Sequence, residues 1–222
     1  MRYSHIFFDF DGTLADSITG VASAIRYALD KMGAQYGDLQ YREYIGPPLR
    51  KPFAELLPDP SPENVDRAIA YYRELYPKSM MEQTSLFDGM AEVVKTLSER
   101  GYRLCIATSK PEVFAKMIVE KLGIAQYFCA IYGALTDGTR ETKEDVLVYA
   151  LESAGRAANE PTERLIRGSI MIGDRKYDLE AANALGMDCA GVTFGYGSQE
   201  ELLRYNPVFI AHTPAEITEF LI

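Results

Sequence analysis

From Gly89 onward the hydrophobic period of the chain changes again and again. Met90, Val93, Val94 and Leu97 recur at helical spacing and stop at Gly101, and the apolar run Tyr102–Thr108 follows. Val113, Phe114, Met117, Ile118 and Leu122 form a second helical stripe, opened by Pro111 and closed by Gly123, before the short run Phe128–Gly133. A helix over 142–154, with Val146, Leu147, Ala150 and Leu151 inward, precedes a strand at Ser169–Ile172. A helix then runs to Gly186, and strands are expected at Met187–Thr193 and Val208–Ala211. Short apolar runs without polar alternation are strands buried on both faces. Strands of this kind, separated by helices, return to one sheet through right-handed crossovers. The pattern therefore predicts an α/β protein with a doubly wound parallel sheet.

The first strand, Ile6–Phe8, is cut off from the others by a block of different character. Ile18, Val21, Ala22, Ile25, Leu29 and Met32 share one helix face, with Ser17 placed to cap the start and Gly33 the end. Further helices are expected at about 47–57 and 62–76, the latter with Val65, Ile69, Tyr72 and Tyr76 on one stripe, and no strand between residues 15 and 85. The expected organisation is a core of residues 1–14 and 87–222 with an all-helical domain inserted at 15–86. A chain of 222 residues, 47% of them hydrophobic, is long enough for a core plus a smaller domain.

The formal charge of −9 argues against a nucleic-acid polymer or an anionic membrane as partner, since both need clustered Lys and Arg. It does not exclude a small anionic substrate. Cys105, Cys129 and Cys189 stand far apart in apolar stretches and read as buried, reduced thiols. The apolar run near the start is too short for a signal peptide and no stretch approaches a membrane span, so a cytoplasmic location is expected.

In a doubly wound sheet, ligands bind beyond the carboxyl ends of the strands. Asp9 and Asp11 follow the first strand, Thr108-Ser109-Lys110 the second, and Asp174 and Asp178 the fourth; Lys143 opens the helix after the third. Asp9 and Asp11, two apart, share a face in extended chain, and Asp178, four after Asp174, can look the same way from a helix start. Clustered carboxylates repel unless a cation sits among them, and oxygen-only ligands favour a hard ion, Mg²⁺ above all. Each piece alone has a plainer reading. Asp9-Phe10-Asp11-Gly12 is also a turn, Asp174 and Asp178 also suit a helix start, Thr108 can satisfy local backbone, and Lys143 can be a solvated surface residue. Four acids at two strand ends are harder to read as caps together. Lys143 also opposes the dipole of its own helix, a locally unfavourable choice that points to a site.

Taken together, Asp9-Phe10-Asp11-Gly12-Thr13-Leu14, Thr108 after an apolar strand, Lys143, and Gly173-Asp174-Arg175-Lys176-Tyr177-Asp178 resemble, in order, the four motifs of the haloacid dehalogenase superfamily of phosphohydrolases. The helical insert resembles that superfamily's type-one cap. The resemblance implies that Asp9 attacks phosphorus and that Asp11 protonates the leaving oxygen and then activates water. It implies that Mg²⁺ is held by Asp9, the Asp11 carbonyl and Asp174 with support from Asp178, and that Thr108, Ser109 and Lys143 hold the phosphoryl oxygens. The segments Asp137–Val146, Tyr44–Leu49 and Gly195–Ser198 resemble the bacterial 5′-nucleotidase-like branch, within a wider likeness to phosphoglycolate phosphatases. A nucleoside 5′-monophosphate is then one expected substrate among small phosphorylated metabolites, and phosphoglycolate another. Arg50, after Gly46-Pro47-Pro48-Leu49, is expected to contribute to selectivity. A phosphomutase would share these motifs. A dehalogenase would lack Asp11, and a phospho-accepting signalling module would lack both the insert and an acid two residues after the nucleophile.

Overall fold

The computed structural model describes residues 2–46, 49–135, 137 and 139–222, so Pro47 and Pro48 of the expected selectivity loop lie outside the described residues. The chain divides into two compact units, Ser17–Ser85 and the pair of segments Met1–Asp16 and Leu86–Ile222.

The Ser17–Ser85 unit is built on α1 (Ile18–Lys31), α2 (Arg50–Leu56) and α3 (Pro62–Gln83). Helix α1 ends as its sequence implies, with Gly33 in the left-handed region at φ +66° just beyond the last turn. Helix α3 instead runs well past the expected end at residue 76. Pro77 removes one helical N–H, yet the helix continues because Ser79 and Met80 beyond it are buried. Gly20 on α1 makes that burial possible. A Cβ there would sit 2.9 Å from Met80 Sδ and 3.0 Å from the Ser79 carbonyl oxygen, so only glycine lets the helices approach this closely. The expectation of no strand between 15 and 85 fails only at its limits, where Ala15–Asp16 and Ser85–Leu86 are two-residue strands.

The other unit carries strands β1 (His5–Phe8), β2 (Arg103–Pro111), β3 (Phe128–Ala134), β4 (Ser169–Gly173), β5 (Asp188–Val192) and β6 (Phe209–Ala211). Between them lie α4 (Met90–Glu99), α5 (Glu112–Lys121), α6 (Lys143–Ala158), α7 (Thr162–Arg167), α8 (Lys176–Ala184) and α9 (Gln199–Leu203), and α10 (Pro214–Leu221) closes the chain. Among the described residues these strands form one parallel sheet in the order β3-β2-β1-β4-β5-β6. β1 is central and fully buried, with Ile6 in register with Leu104 on one side and Ile170 on the other. Strand order reverses beside β1, which is where a doubly wound sheet opens a crevice. Phe7, Cys105, Met171 and Cys189 pack with Val146, Leu147, Ala150 and Leu151 of α6 and with Leu179 and Ala182 of α8 in one apolar cluster.

Three features depart from expectation. β2 continues through Thr108, Ser109 and Lys110 to Pro111, with a register irregularity against β3 after Thr108. Cys129 is exposed, not buried, because β3 is the edge strand; Cys105 and Cys189 are buried, and burial raises their thiol pKa values to about 12 and about 11. Helices α7, α9 and α10 have too few turns to show a clear period and were not expected. Among the described residues, no helix is long and apolar enough to cross a membrane.

The packing of α6 gives a test on adjacent residues. Leu147 is fully buried and Val148 is 36% exposed. Leu147→Ala should destabilise by about 2–5 kcal/mol, whereas Val148→Ala should cost under about 0.5 kcal/mol. Thermal unfolding followed by circular dichroism measures both, and equal effects would mean that α6 does not face the sheet as described.

Candidate active site

Three strand ends and one helix start converge beyond the carboxyl edge of the sheet. At the end of β1 the Asp9 N–H donates to the Ile172 carbonyl at 2.9 Å, which ties the chain to β4 one residue past the strand. The chain then folds back on itself. The Phe10 carbonyl accepts from the N–H groups of Leu14 and Ala15, both at 3.0 Å, and the Gly12 N–H donates to the Ala15 carbonyl at 2.9 Å. Gly12 has φ +86°, and a Cβ on it would lie 2.1 Å from Asp174 Oδ2. Glycine is therefore required twice over, by the backbone and by the acid seated against it.

Asp174 follows β4 directly and is fully buried. Its Oδ2 accepts from the Tyr196 N–H at 2.8 Å, and its Oδ1 lies 3.4 Å from the donating Thr13 hydroxyl. Asp178 is in the first turn of α8, where its carboxylate accepts from the Arg175 N–H at 3.1 Å. Glu201 of α9 braces this corner, accepting from Arg175 Nε at 3.1 Å and from the Lys176 N–H at 2.7 Å.

Lys143 is the first residue of α6, after a capping box in which Thr142 and Asp145 satisfy each other's backbone N–H groups. It is buried, not solvated. Its Nζ lies 2.6 Å from Asp9 Oδ1, 2.7 Å from Asp178 Oδ1 and 3.0 Å from the Ala107 carbonyl oxygen. The segment leading to it is held by Arg140, which donates from Nε to the Gly133 carbonyl at 2.8 Å, pairs with Glu112 at 2.7 Å and lies 3.8 Å over the Tyr149 ring.

One oxygen each from Asp9, Asp174 and Asp178 falls within 4.8 Å of the others, and all three residues are buried. Burial and the neighbouring Asp178 and Asp9 carboxylates push the Asp174 carboxyl well above the usual range. Burial raises Asp178 to about 6, although Lys143 pulls against it. Burial alone would strip the Lys143 charge, but Asp178 and Asp9 in contact outweigh it and raise its pKa. Asp11 turns to a second ammonium. Lys110 Nζ lies 3.0 Å from Asp11 Oδ2, while Asp11 Oδ1 is buried with no hydrogen-bond partner among the described residues.

Fully ionised, these six side chains would carry four carboxylates against two ammonium groups, an excess of two negative charges that one divalent cation would offset and that otherwise adds to burial in driving the Asp174 carboxyl upward. The donors are all oxygen. A buried oxygen cluster of this kind fits Mg²⁺.

The structure thus brings together Asp9, Asp174, Asp178 and Lys143, with Asp11 two residues beyond Asp9. Thr108 is buried, and its hydroxyl oxygen accepts from the Lys110 N–H at 3.2 Å; Ser109 follows, half-buried. Arg50 begins α2 and pairs with Asp66 of α3, both exposed and both within the Ser17–Ser85 unit. Sequence reasoning placed Lys110 at a strand end and Tyr196 in a segment of family resemblance but gave neither of them, nor Glu201, a role in the site. The signal for Lys110 was present, a charge inside an apolar strand end, but Tyr196 and Glu201 reach the site from a loop and a short helix with no period to mark them.

Comparison with known proteins identifies the family. Residues 6–192 match the family described as haloacid dehalogenase-like hydrolase. A Pseudomonas aeruginosa protein named 5′-nucleotidase is 36% identical over 222 residues, covering 100% of this chain and 96% of its own. The tyrosine-protein kinase PtkA of Mycobacterium tuberculosis is 38% identical over 209 residues, covering 93% of this chain and 68% of its own, and its solved structure superposes with a TM-score of 0.81. A crystal structure from Clostridium acetobutylicum, described as a predicted phosphatase, is 37% identical with a TM-score of 0.88 and covers 100% of this chain and 99% of its own. With the match spanning most of the chain and the solved folds superposing end to end, this protein belongs to the haloacid dehalogenase-like hydrolase family.

Proposed function

We propose that this protein is a Mg²⁺-dependent phosphatase that hydrolyses a small organic phosphate monoester, with a nucleoside 5′-monophosphate as its substrate class, through an aspartyl-phosphate on Asp9. The observation that carries the reading is the buried contact of Asp9 with Lys143, inside a carboxylate cluster that lacks two positive charges. A carboxylate held this way is oriented for attack rather than for structure alone, since a plain structural ion pair would not recruit two further acids.

Asp9 attacks phosphorus, forming the acyl-phosphate bond as the bond to the leaving oxygen breaks. Asp11 gives that oxygen its proton, and then takes a proton from the water that cleaves the acyl phosphate and frees Asp9. The Thr108 hydroxyl, the Ser109 N–H and the Lys143 ammonium hold the phosphoryl oxygens. Asp9, Asp174 and the Asp11 carbonyl would hold Mg²⁺, with Asp178 in support; when bound, the ion supplies the positive charge that lets a carboxylate approach an anionic phosphate. The residues at the strand ends meet only the phosphoryl group, so selectivity among esters is assigned to the Ser17–Ser85 unit, with exposed Arg50 as its candidate residue. The nucleotide preference is supported by the Pseudomonas relative's name and full-length match. The mycobacterial relative's name adds transfer to a tyrosine as an outcome to score beside transfer to water.

Two experiments test the reading. Asp9→Asn keeps the shape of the side chain and removes its attacking charge, so turnover of p-nitrophenyl phosphate and of nucleoside 5′-monophosphates should fall by at least about 10³-fold with the fold intact by circular dichroism. Retained turnover in pure variant protein would contradict the mechanism. The metal is tested without activity. Mg²⁺ at about 100 times its dissociation constant should stabilise the parent by about 2.7 kcal/mol, a rise of roughly 5–10 °C in Tm. Asp174→Asn should lose most of that rise, and an equal rise in the variant would place the ion elsewhere.

A further inference from the structure

Lys110 is a charge buried at the end of a central strand, with its side chain 0% exposed, and the mechanism above gives it no role. It lies one strand away from the nucleophile, on β2, and reaches across to the turn after β1. Its ammonium is 3.0 Å from Asp11 Oδ2 and 5.7 Å from the centre of the Phe10 ring, which is itself fully buried. Desolvating an ammonium is costly unless it is paired. Here the acid that shares its burial is the one read as the proton carrier.

The two oxygens of Asp11 are consequently unlike each other. Oδ2 is held by Lys110; Oδ1 is buried without a hydrogen-bond partner among the described residues. We propose that Lys110 is a positioning residue that fixes Asp11 through Oδ2 and so leaves Oδ1 as the single oxygen that delivers the proton to the leaving group and recovers one from water. In the first half-reaction the Oδ1–H bond breaks and its proton goes to the ester oxygen as the phosphorus–oxygen bond to the leaving group breaks. In the second, the attacking water gives its proton to Oδ1 as its oxygen bonds to phosphorus and the bond to Asp9 breaks. Lys110 exchanges no proton in either half. Without it Asp11 can rotate, and proton delivery is lost in proportion to how much the leaving group needs it. A weakly basic phenolate departs without a proton, but an alkoxide does not.

This inference rests on the proposed assignment of Asp11 as the acid. Its test is the dependence of kcat/KM on leaving-group basicity, which reports the steps up to formation of the acyl phosphate. The esters are p-nitrophenyl phosphate, phenyl phosphate and glycerol phosphate, assayed at saturating Mg²⁺ with the parent, Lys110→Met and Asp11→Asn. Lys110→Met should lose about 10–100-fold on glycerol phosphate but only a few-fold on p-nitrophenyl phosphate, as a fraction of the about 10²–10⁴-fold that general acid catalysis supplies. Asp11→Asn should tilt the same way and further. If Asp11→Asn tilts the series and Lys110→Met lowers every ester by one common factor, or none, the positioning role is overturned while the phosphatase reading stands. If Asp11→Asn itself shows no tilt, the assignment of the acid fails and this inference fails with it. Should Lys110→Met fail to fold by circular dichroism, Lys110→Gln keeps an N–H to donate to Oδ2 and should give a shallower tilt; a uniform loss there overturns the proposal equally.

Discussion

The rest of the structure is organised around one electrostatic constraint. Asp9, Asp174 and Asp178 are buried with oxygens within 4.8 Å of one another, in a setting where like charges repel strongly. Such a cluster survives only if the surrounding chain supplies positive charge and backbone donors. Lys143 arrives from α6, and the Tyr196 and Arg175 N–H groups from the segments after β5 and β4; Lys110 of β2 pairs with the neighbouring Asp11. Gly12 and Gly195 give up their side chains to seat Asp174; a Cβ on Gly195 would lie 2.5 Å from the Asp174 Cβ. A buried carboxylate cluster seated this closely is the arrangement that could hold a divalent cation.

The sheet makes that corner possible by placing β1 at its centre. Parallel strands deliver all their carboxyl ends to one edge, so residues distant in sequence meet there. Asp9 and Lys143 are 134 residues apart and are joined at 2.6 Å because α6 packs on β1 and β2 in one apolar cluster. The juxtaposition of these residues thus follows from crossover topology, and what the edge can do depends on which residue occupies the end of each strand.

Much of this was legible in the sequence, for identifiable reasons. The switches between helical stripes and short apolar runs disclosed the parallel sheet, and the topology then dictated which end of each strand to inspect; Asp9, Asp174, Asp178 and Lys143 followed. What stayed hidden depended on tertiary context. The helix expected at about 62–76 continues to Gln83, because the burial of Ser79 and Met80 that carries α3 past Pro77 cannot be seen locally. Cys129 read as buried, because sequence alone does not say that β3 lies at the edge. Lys110 stood in plain view beside Thr108 and Ser109, yet its partner Asp11 is on another strand's turn, and an isolated lysine in sequence looks like a surface residue. Glu201 braces the Arg175 corner from a five-residue helix that leaves no periodic trace.

The central claim, that Asp9 is phosphorylated during turnover, can be observed directly. Protein mixed with a nucleoside 5′-monophosphate and Mg²⁺, quenched in acid within the first turnover and digested with a protease active at low pH, should yield one phosphorylated peptide by mass spectrometry, the one containing Asp9, with the adduct absent in Asp9→Asn and lost on exposure to neutral hydroxylamine. A phosphorylated peptide from elsewhere in the chain, or steady release of phosphate with no adduct on Asp9 at any quench time, would contradict the account.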